Sequence, residues 1–304
     1  MILPDRLKRG DKIGVIAPSG YAKKEDLEII NKSILLMEGS GFKVEFGKNV
    51  FKNTLGYGAS PQEKAEDINN MFRNKEIKMI FCVSGGANSN STFEYLDYEL
   101  IKNNPKIICG FSDSTSLTNM ITQKSNVVTF NGSTFKSLTS WETDYAYRQV
   151  MKRFVEGSLE LAEPDDEFYT IKEGIVEGEL IGGNLSLTTN LVTGKYSIDF
   201  QDKILFMEEL SFESDPEMVS NYLYRMRQNE VFDKIKGIWV GNYEGEIALE
   251  KILLDTLGDE YNFPIIKSNN FGHTEKKMVI PVGTKARIDT SKEIKIKLIE
   301  NCII

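Results

Sequence analysis

Short continuous apolar runs and longer amphipathic stretches take turns along roughly the first 135 residues. DKIGVIAPSG reads as a buried strand closed by a Pro-Ser-Gly turn. Residues 24–41 follow with an apolar face of Leu27, Ile30, Ile34, Leu36 and Met37 and are stopped by Gly39 and Gly41, which predicts a helix. FKVEFGKN is the next strand. Residues 61–75 carry a proline at the start and acids in the first turn, a helix signature. KMIFCVS is a third strand, GGANSNS a loop, 92–103 a helix ended before Pro105, KIICGFS a strand, 113–124 a helix and NVVTFNG a strand. Uninterrupted apolar strands separated by helices predict an α/β fold: a parallel sheet covered on both faces. Loops following such strands gather at the carboxyl edge of the sheet, where sites form.

The rhythm breaks at residues 156–176, an acid-rich stretch with Pro164, read as a linker between an N-terminal domain (1–155) and a C-terminal domain (177–304). The second unit is expected to be a smaller mixed α/β domain. KILFMEEL and IKGIWVGNY are strands, 215–229 and 246–258 helices, IGGN (181–184) a turn, and MVIPVGTKARIDTSKEIKIKLIE a β-hairpin or meander.

Composition narrows the function. The 304 residues are 40% hydrophobic and 27% charged, enough for a real core, and the net charge of −8 disfavours a nucleic-acid partner. The N-terminus lacks the long apolar core of a signal peptide and no stretch reaches membrane-spanning length, so a cytoplasmic protein without a membrane partner is expected. Cys82, Cys109 and Cys302 follow no disulfide or metal spacing, and the chain has one histidine, so neither a metal nor a cofactor is expected.

CGFSDST carries the sharpest chemistry. A serine on a tight turn between a strand and a helix projects its hydroxyl toward backbone amides that can receive an oxyanion. The same residues also suit a plain helix cap. Ser112 as nucleophile needs a base, and His273 in NNFGHTEKK is the only imidazole on offer; an exposed loop histidine is the alternative. An orienting carboxylate is available at the end of KILFMEEL, where neighbours Glu208 and Glu209 point to opposite faces and only one can serve. In SGGANSNS, Gly85 or Gly86 allows close backbone approach to a carbonyl oxygen, and Asn88 and Ser89 offer polar contacts to a substrate.

Taken together, SGGANSNS, YLDYELIKNNPKIICGFSDST, VEGELIGGNLSLTT, KILFMEEL, VFDKIKGIWVGNYE and FGHTEKKMVIPVG resemble the LD-carboxypeptidase and microcin C immunity protein family of serine peptidases, over nearly the whole chain. The resemblance implies two domains, a triad of Ser112, Glu208 and His273, an oxyanion hole from the amides of Gly85 and Asp113, no metal, and a homodimer. It implies amide hydrolysis in a small peptide-like substrate: a murein tetrapeptide or a microcin-type peptidyl-nucleotide. The immunity branch carries a longer interdomain loop with a tryptophan that stacks on the nucleotide base. Here 156–176 has none, the chain's two being Trp141 and Trp239, which weighs against a peptidyl-nucleotide, whereas the GGANSNS and NPKIICGFSD stretches are closer to the immunity branch than to the murein-recycling branch. A non-catalytic, two-lobed small-molecule binding protein is the reading from another class; it requires no special relation between Ser112 and His273.

Overall fold

The computed structural model describes residues 1–211 and 215–304. The strands among the described residues are β1 (Lys12–Ile16), β2 (Lys43–Phe46), β3 (Ile77–Cys82), β4 (Ile107–Gly110), β5 (Thr129–Asn131), β6 (Tyr169–Lys172), β7 (Ile175–Asn184), β8 (Lys203–Glu208), β9 (Gly237–Val240), β10 (Ile265–Lys267), β11 (Ile280–Val282), β12 (Lys285–Asp289) and β13 (Ile296–Leu298). The helices are α1 (Leu27–Gly39), α2 (Pro61–Arg73), α3 (Tyr98–Asn103), α4 (Ser114–Ser125), α5 (Tyr145–Val150), α6 (Leu185–Thr189), α7 (Pro216–Gln228), α8 (Val231–Lys234) and α9 (Leu249–Leu257).

The fold is α/β with two sheets. The first has the order β11-β5-β4-β3-β1-β2; β1 to β5 are parallel and β11 joins antiparallel, Ile280 opposite Asn131. The second has the order β13-β12-β7-β8-β9-β10-β6 and is mixed, with β7 to β10 parallel. Alternation along β1 explains the layering. Ile13 and Val15 face a large core shared with Leu180, Phe206 and Trp239 of the second sheet, whereas Ile16 faces Ile68, Phe72 and Leu117 of α2 and α4. A third core packs the outer face of the second sheet against α7 and α9 through Leu205, Met207, Leu223 and Leu253.

Local chemistry sets the helix starts. Ser60 and Glu63 form a reciprocal capping box ahead of Pro61, and Asp215 accepts from the Met218 amide ahead of Pro216. The expected helix over 92–103 divides into a single 3-10 turn at Ser89–Thr92 and α3, because the Asp97 carboxylate caps a fresh start on the Leu100 amide. The last third of the stretch 156–176 carries β6, paired with β10. In the tail, β12 and β13 form the expected hairpin, but β11 leaves them for the first sheet.

IGGN is not a turn. It ends β7, and its glycines let α4 lie directly on that strand. Asn119 of α4 donates to the Gly182 carbonyl at 2.8 Å and accepts from its amide at 3.2 Å, and a Cβ on Gly183 would fall 2.6 Å from Thr115 Oγ1. The helix that follows Ser112 is thereby locked to the strand next to the one ending in Glu208. No helix among the described residues is long and apolar enough to cross a membrane.

Candidate active site

β4 ends at Gly110, where a Cβ would meet Ser114 Cβ at 2.6 Å and Cys82 Sγ at 2.8 Å; only glycine fits. Two residues on, Ser112 sits at φ +60°, the left-handed region that a non-glycine residue occupies only under tertiary constraint. α4 begins at Ser114, so the positive end of its dipole lies beside the hydroxyl.

His273 arrives from the other side of the gap. Its loop connects β10 of the second sheet to β11 of the first, so the crossing that displaces β11 also carries the imidazole to the first sheet's edge. His273 Nε2 lies 3.2 Å from Ser112 Oγ, and its Nδ1 lies 2.7 Å from Glu208 Oε2. The Glu208 side chain is fully buried at the end of β8 and also accepts from the His273 amide at 3.2 Å and Asn184 Nδ2 at 3.2 Å. A carboxylate here accepts a hydrogen bond from Nδ1–H, which leaves Nε2 as the acceptor for the serine hydroxyl. Phe111 packs on the imidazole with ring centroids 4.6 Å apart.

Glu209 shares Asn184 with Glu208 but does not reach the imidazole. Its carboxylate accepts from Asn184 Nδ2 at 2.9 Å, the Ser186 amide and the Leu210 amide at 2.8 Å, and burial raises its pKa. It serves the start of α6, while Glu208 alone of the two meets His273.

The loop after β3 closes the site. The Gly85 Cα faces Ser112: an added Cβ would lie 3.2 Å from Oγ. Neither the Gly85 nor the Asp113 amide donates to an acceptor among the described residues, and Asp113 directly follows Ser112 in the chain. Gly86 holds φ +137° with its Cα against Gly20, and Asn88 holds φ +61°. Ser89 is fully buried; its amide and hydroxyl bind the Asp113 carboxylate and carbonyl, each at 2.8 Å. Asn88 Oδ1 accepts from Lys64 Nζ at 2.8 Å. Ser89 is thus held by Asp113 and the Asn88 side-chain carbonyl oxygen by Lys64 within the protein.

Three contributors were not singled out from the sequence. Asn184, inside the misread IGGN, bridges Glu208 and Glu209 and caps α6; an Asn directly before LSLTT was the available signal. Lys64 is a buried lysine whose ammonium also donates to the Ser19 carbonyl at 3.0 Å. Lys277 is a second, against Phe111. Among the described residues no group of three or more His, Cys, Asp or Glu side chains can hold a metal ion, and the three cysteines are free and buried.

Sequence profiles of the LD-carboxypeptidase N-terminal and C-terminal domains match residues 13–132 and 177–288 respectively. The chain belongs to this family. As an LD-carboxypeptidase family member it is a peptidase relative of the serine type. It is 30% identical to the probable murein peptide carboxypeptidase of Bacillus subtilis over 95% of this chain and 92% of that one. It is 28% identical to the microcin C7 self-immunity protein MccF of Escherichia coli, over 95% and 93%. The solved structure of wild-type apo MccF superposes with a TM-score of 0.92 at 26% identity, covering all of both chains. The muramoyltetrapeptide carboxypeptidase of Oxalobacter formigenes shares the fold, with a TM-score of 0.78 at 23% identity over 94% and 97%.

Proposed function

We propose that the protein is a serine carboxypeptidase of the LD type, removing a terminal D-residue from a murein-derived tetrapeptide through Ser112, His273 and Glu208. The observation that carries this reading is the continuous hydrogen-bonded chain from Ser112 Oγ through the imidazole to a buried carboxylate, at 3.2 and 2.7 Å. Those separations match what nucleophile activation needs. They also weigh against the non-catalytic binding protein, which gives no reason for a strained serine to meet the chain's single histidine.

Ser112 Oγ attacks the scissile carbonyl as His273 Nε2 takes its proton, and Glu208 holds the imidazole and stabilises its cation. The Gly85 and Asp113 amides receive the oxyanion. The C–N bond breaks as His273 returns the proton to the departing amine. Water, deprotonated by the same imidazole, then attacks the acyl ester; the ester C–O bond breaks as His273 returns that proton to Ser112 Oγ and the acid product leaves. No metal or cofactor takes part. The chain works as domains 1–155 and 177–304 joined by 156–176, as a homodimer, in the cytoplasm; sedimentation of the purified protein tests the dimer.

The higher superposition on MccF favours a second reading, cleavage of a microcin-type peptidyl-nucleotide. Incubation with a murein tetrapeptide and with a processed peptidyl-nucleotide, products read by mass spectrometry, separates the two. Fluorophosphonate labelling of the wild type, lost in Ser112→Ala and His273→Ala, tests the shared chemistry. Equal labelling in Ser112→Ala sinks both.

A further inference from the structure

Lys277 is 6% exposed, yet its ammonium has one hydrogen bond, to the Gly272 carbonyl at 2.8 Å. An ammonium has three donors, and an interior cation is normally paired with a carboxylate. Its neighbour Lys276 follows that rule, binding the Asp166 carboxylate at 3.0 Å. Glu208 is near enough to favour the charged form of Lys277, but its oxygens are taken by His273 and Asn184. Lys277 Nζ lies instead 4.4 Å from the centre of the Phe111 ring and 6.0 Å from that of Trp141, whose indole is 47% exposed. Among the described residues no other lysine or arginine hydrogen-bonds to, or stacks on, residues 111–112 or 272–273.

The geometry points to Lys277, flanked by the Phe111 and Trp141 rings, as the group that receives the free carboxylate of the residue released. The inference rests on the carboxypeptidase reading. His273 must hand its proton to the departing amine, so the leaving residue lies on the histidine side, away from the loop of Gly85. Lys277 belongs to that histidine loop, four residues beyond the base. An exopeptidase has to tell a chain end from an internal bond, and a cation with spare donors and no bonded counter-ion supplies the distinction: a terminal carboxylate satisfies it, a continuing amide leaves it unpaired. The acidic chain, net −8, makes a cation placed in this site the more pointed.

The test uses two tetrapeptides that differ only in a terminal carboxylate or carboxamide. The wild type is expected to prefer the acid by about 10²-fold in kcat/KM. Lys277→Met should lose that factor on the acid, chiefly through KM, and change by less than threefold on the amide, while Lys277→Arg retains part of the preference. Fluorophosphonate labelling requires no carboxylate and should persist in Lys277→Met. Equal losses on acid and amide, or lost labelling, would make Lys277 a positioning residue only and overturn the proposal. If the wild type cleaves neither peptide yet labels, the murein reading fails by itself. Protection from labelling then decides Lys277: D-alanine, but not D-alaninamide, should slow labelling of the wild type and not of Lys277→Met. Absence of that difference overturns the inference.

Discussion

Gly85→Ala is the most discriminating single change at this site. Gly85 does not require a left-handed backbone, so alanine is conformationally allowed there. The new methyl would stand 3.0 Å from Ser112 Cβ and 3.2 Å from Oγ, tighter than ordinary contact by a few tenths of an ångström. Ser112 cannot yield freely, since its hydroxyl already lies 3.2 Å from His273 Nε2, at the edge of productive reach. A substrate carbonyl must come within about 3–3.5 Å of the hydroxyl with its oxygen toward the Gly85 amide, and the methyl intrudes on that approach. Displacing the oxyanion from this amide, which alanine retains, forfeits about one donor's worth of stabilisation and predicts a fall in kcat of about 10²–10³-fold, roughly 2.7–4 kcal/mol. The partly exposed loop relaxes at a cost of about 1 kcal/mol, so Tm should fall by no more than about 3 °C. Gly86→Ala is the contrast. At φ +137°, with its Cβ 2.6 Å from the Gly20 amide nitrogen, it should lose stability as well as activity. Tetrapeptide turnover and thermal unfolding, measured on both variants, read out the difference. A Gly85→Ala enzyme within fivefold of wild-type kcat would refute the placement of the oxyanion beside this amide.

Three further outcomes follow from the same geometry. Glu208→Gln should keep the fold and lose about 10⁴-fold in kcat, because the amide stabilises the wrong imidazole tautomer; turnover within tenfold of wild type would remove Glu208 from the triad. Glu209→Ala should instead lower stability by about 1–3 kcal/mol, since it frees the Ser186 and Leu210 amides, and retain fluorophosphonate labelling; a labelling defect at unchanged Tm would reverse the two acids' roles. Burial holds the Lys277 ammonium down to about 8, against the nearby Glu208 that favours its charge. Below that pH the penalty is fully present, and between about 8 and 10.5 the unfolded chain keeps a proton the folded one has released, so stability from this group rises with pH. Lys277→Met should be more stable than wild type at pH 7, by on the order of 3 kcal/mol at most, with the gain gone near pH 10.5; a pH-independent difference in denaturant midpoint would contradict this.

The residues proposed to do the chemistry were visible in the chain by local pattern. Ser112 stands where an apolar strand meets a helix, Glu208 ends another apolar strand, and His273 has no competitor. What escaped was whatever depends on long-range approach. IPV at 280–282 carries a strand's apolar character but no mark of which sheet it joins, and it joins β5. The glycines of IGGN look like a turn because turns and close approaches ask for the same missing Cβ; only the docking of α4 on β7 distinguishes them. Lys277 lies in a polar run that reads as solvated, and burial by Phe111 and Trp141 is a property of the assembled loops.

Backbone strain alone would not have marked the site. Asn126, Asp202 and Glu230 share the positive φ of Ser112 and Asn88, yet Asn126 ends α4, Glu230 begins α8 and Asp202 turns the chain into β8. What separates Ser112 is the coincidence of strain with interior charge. Glu208 and Lys277 are both buried close to it, and each is held with fewer counter-charges than an interior ion ordinarily requires. A protein selected for stability alone would replace such groups with apolar side chains. Their concentration at the edge where the two sheets meet, with an imidazole bridging the gap, fits the proposed reaction, in which Glu208 would be matched to an imidazolium that forms transiently and Lys277 to an anion that arrives with substrate.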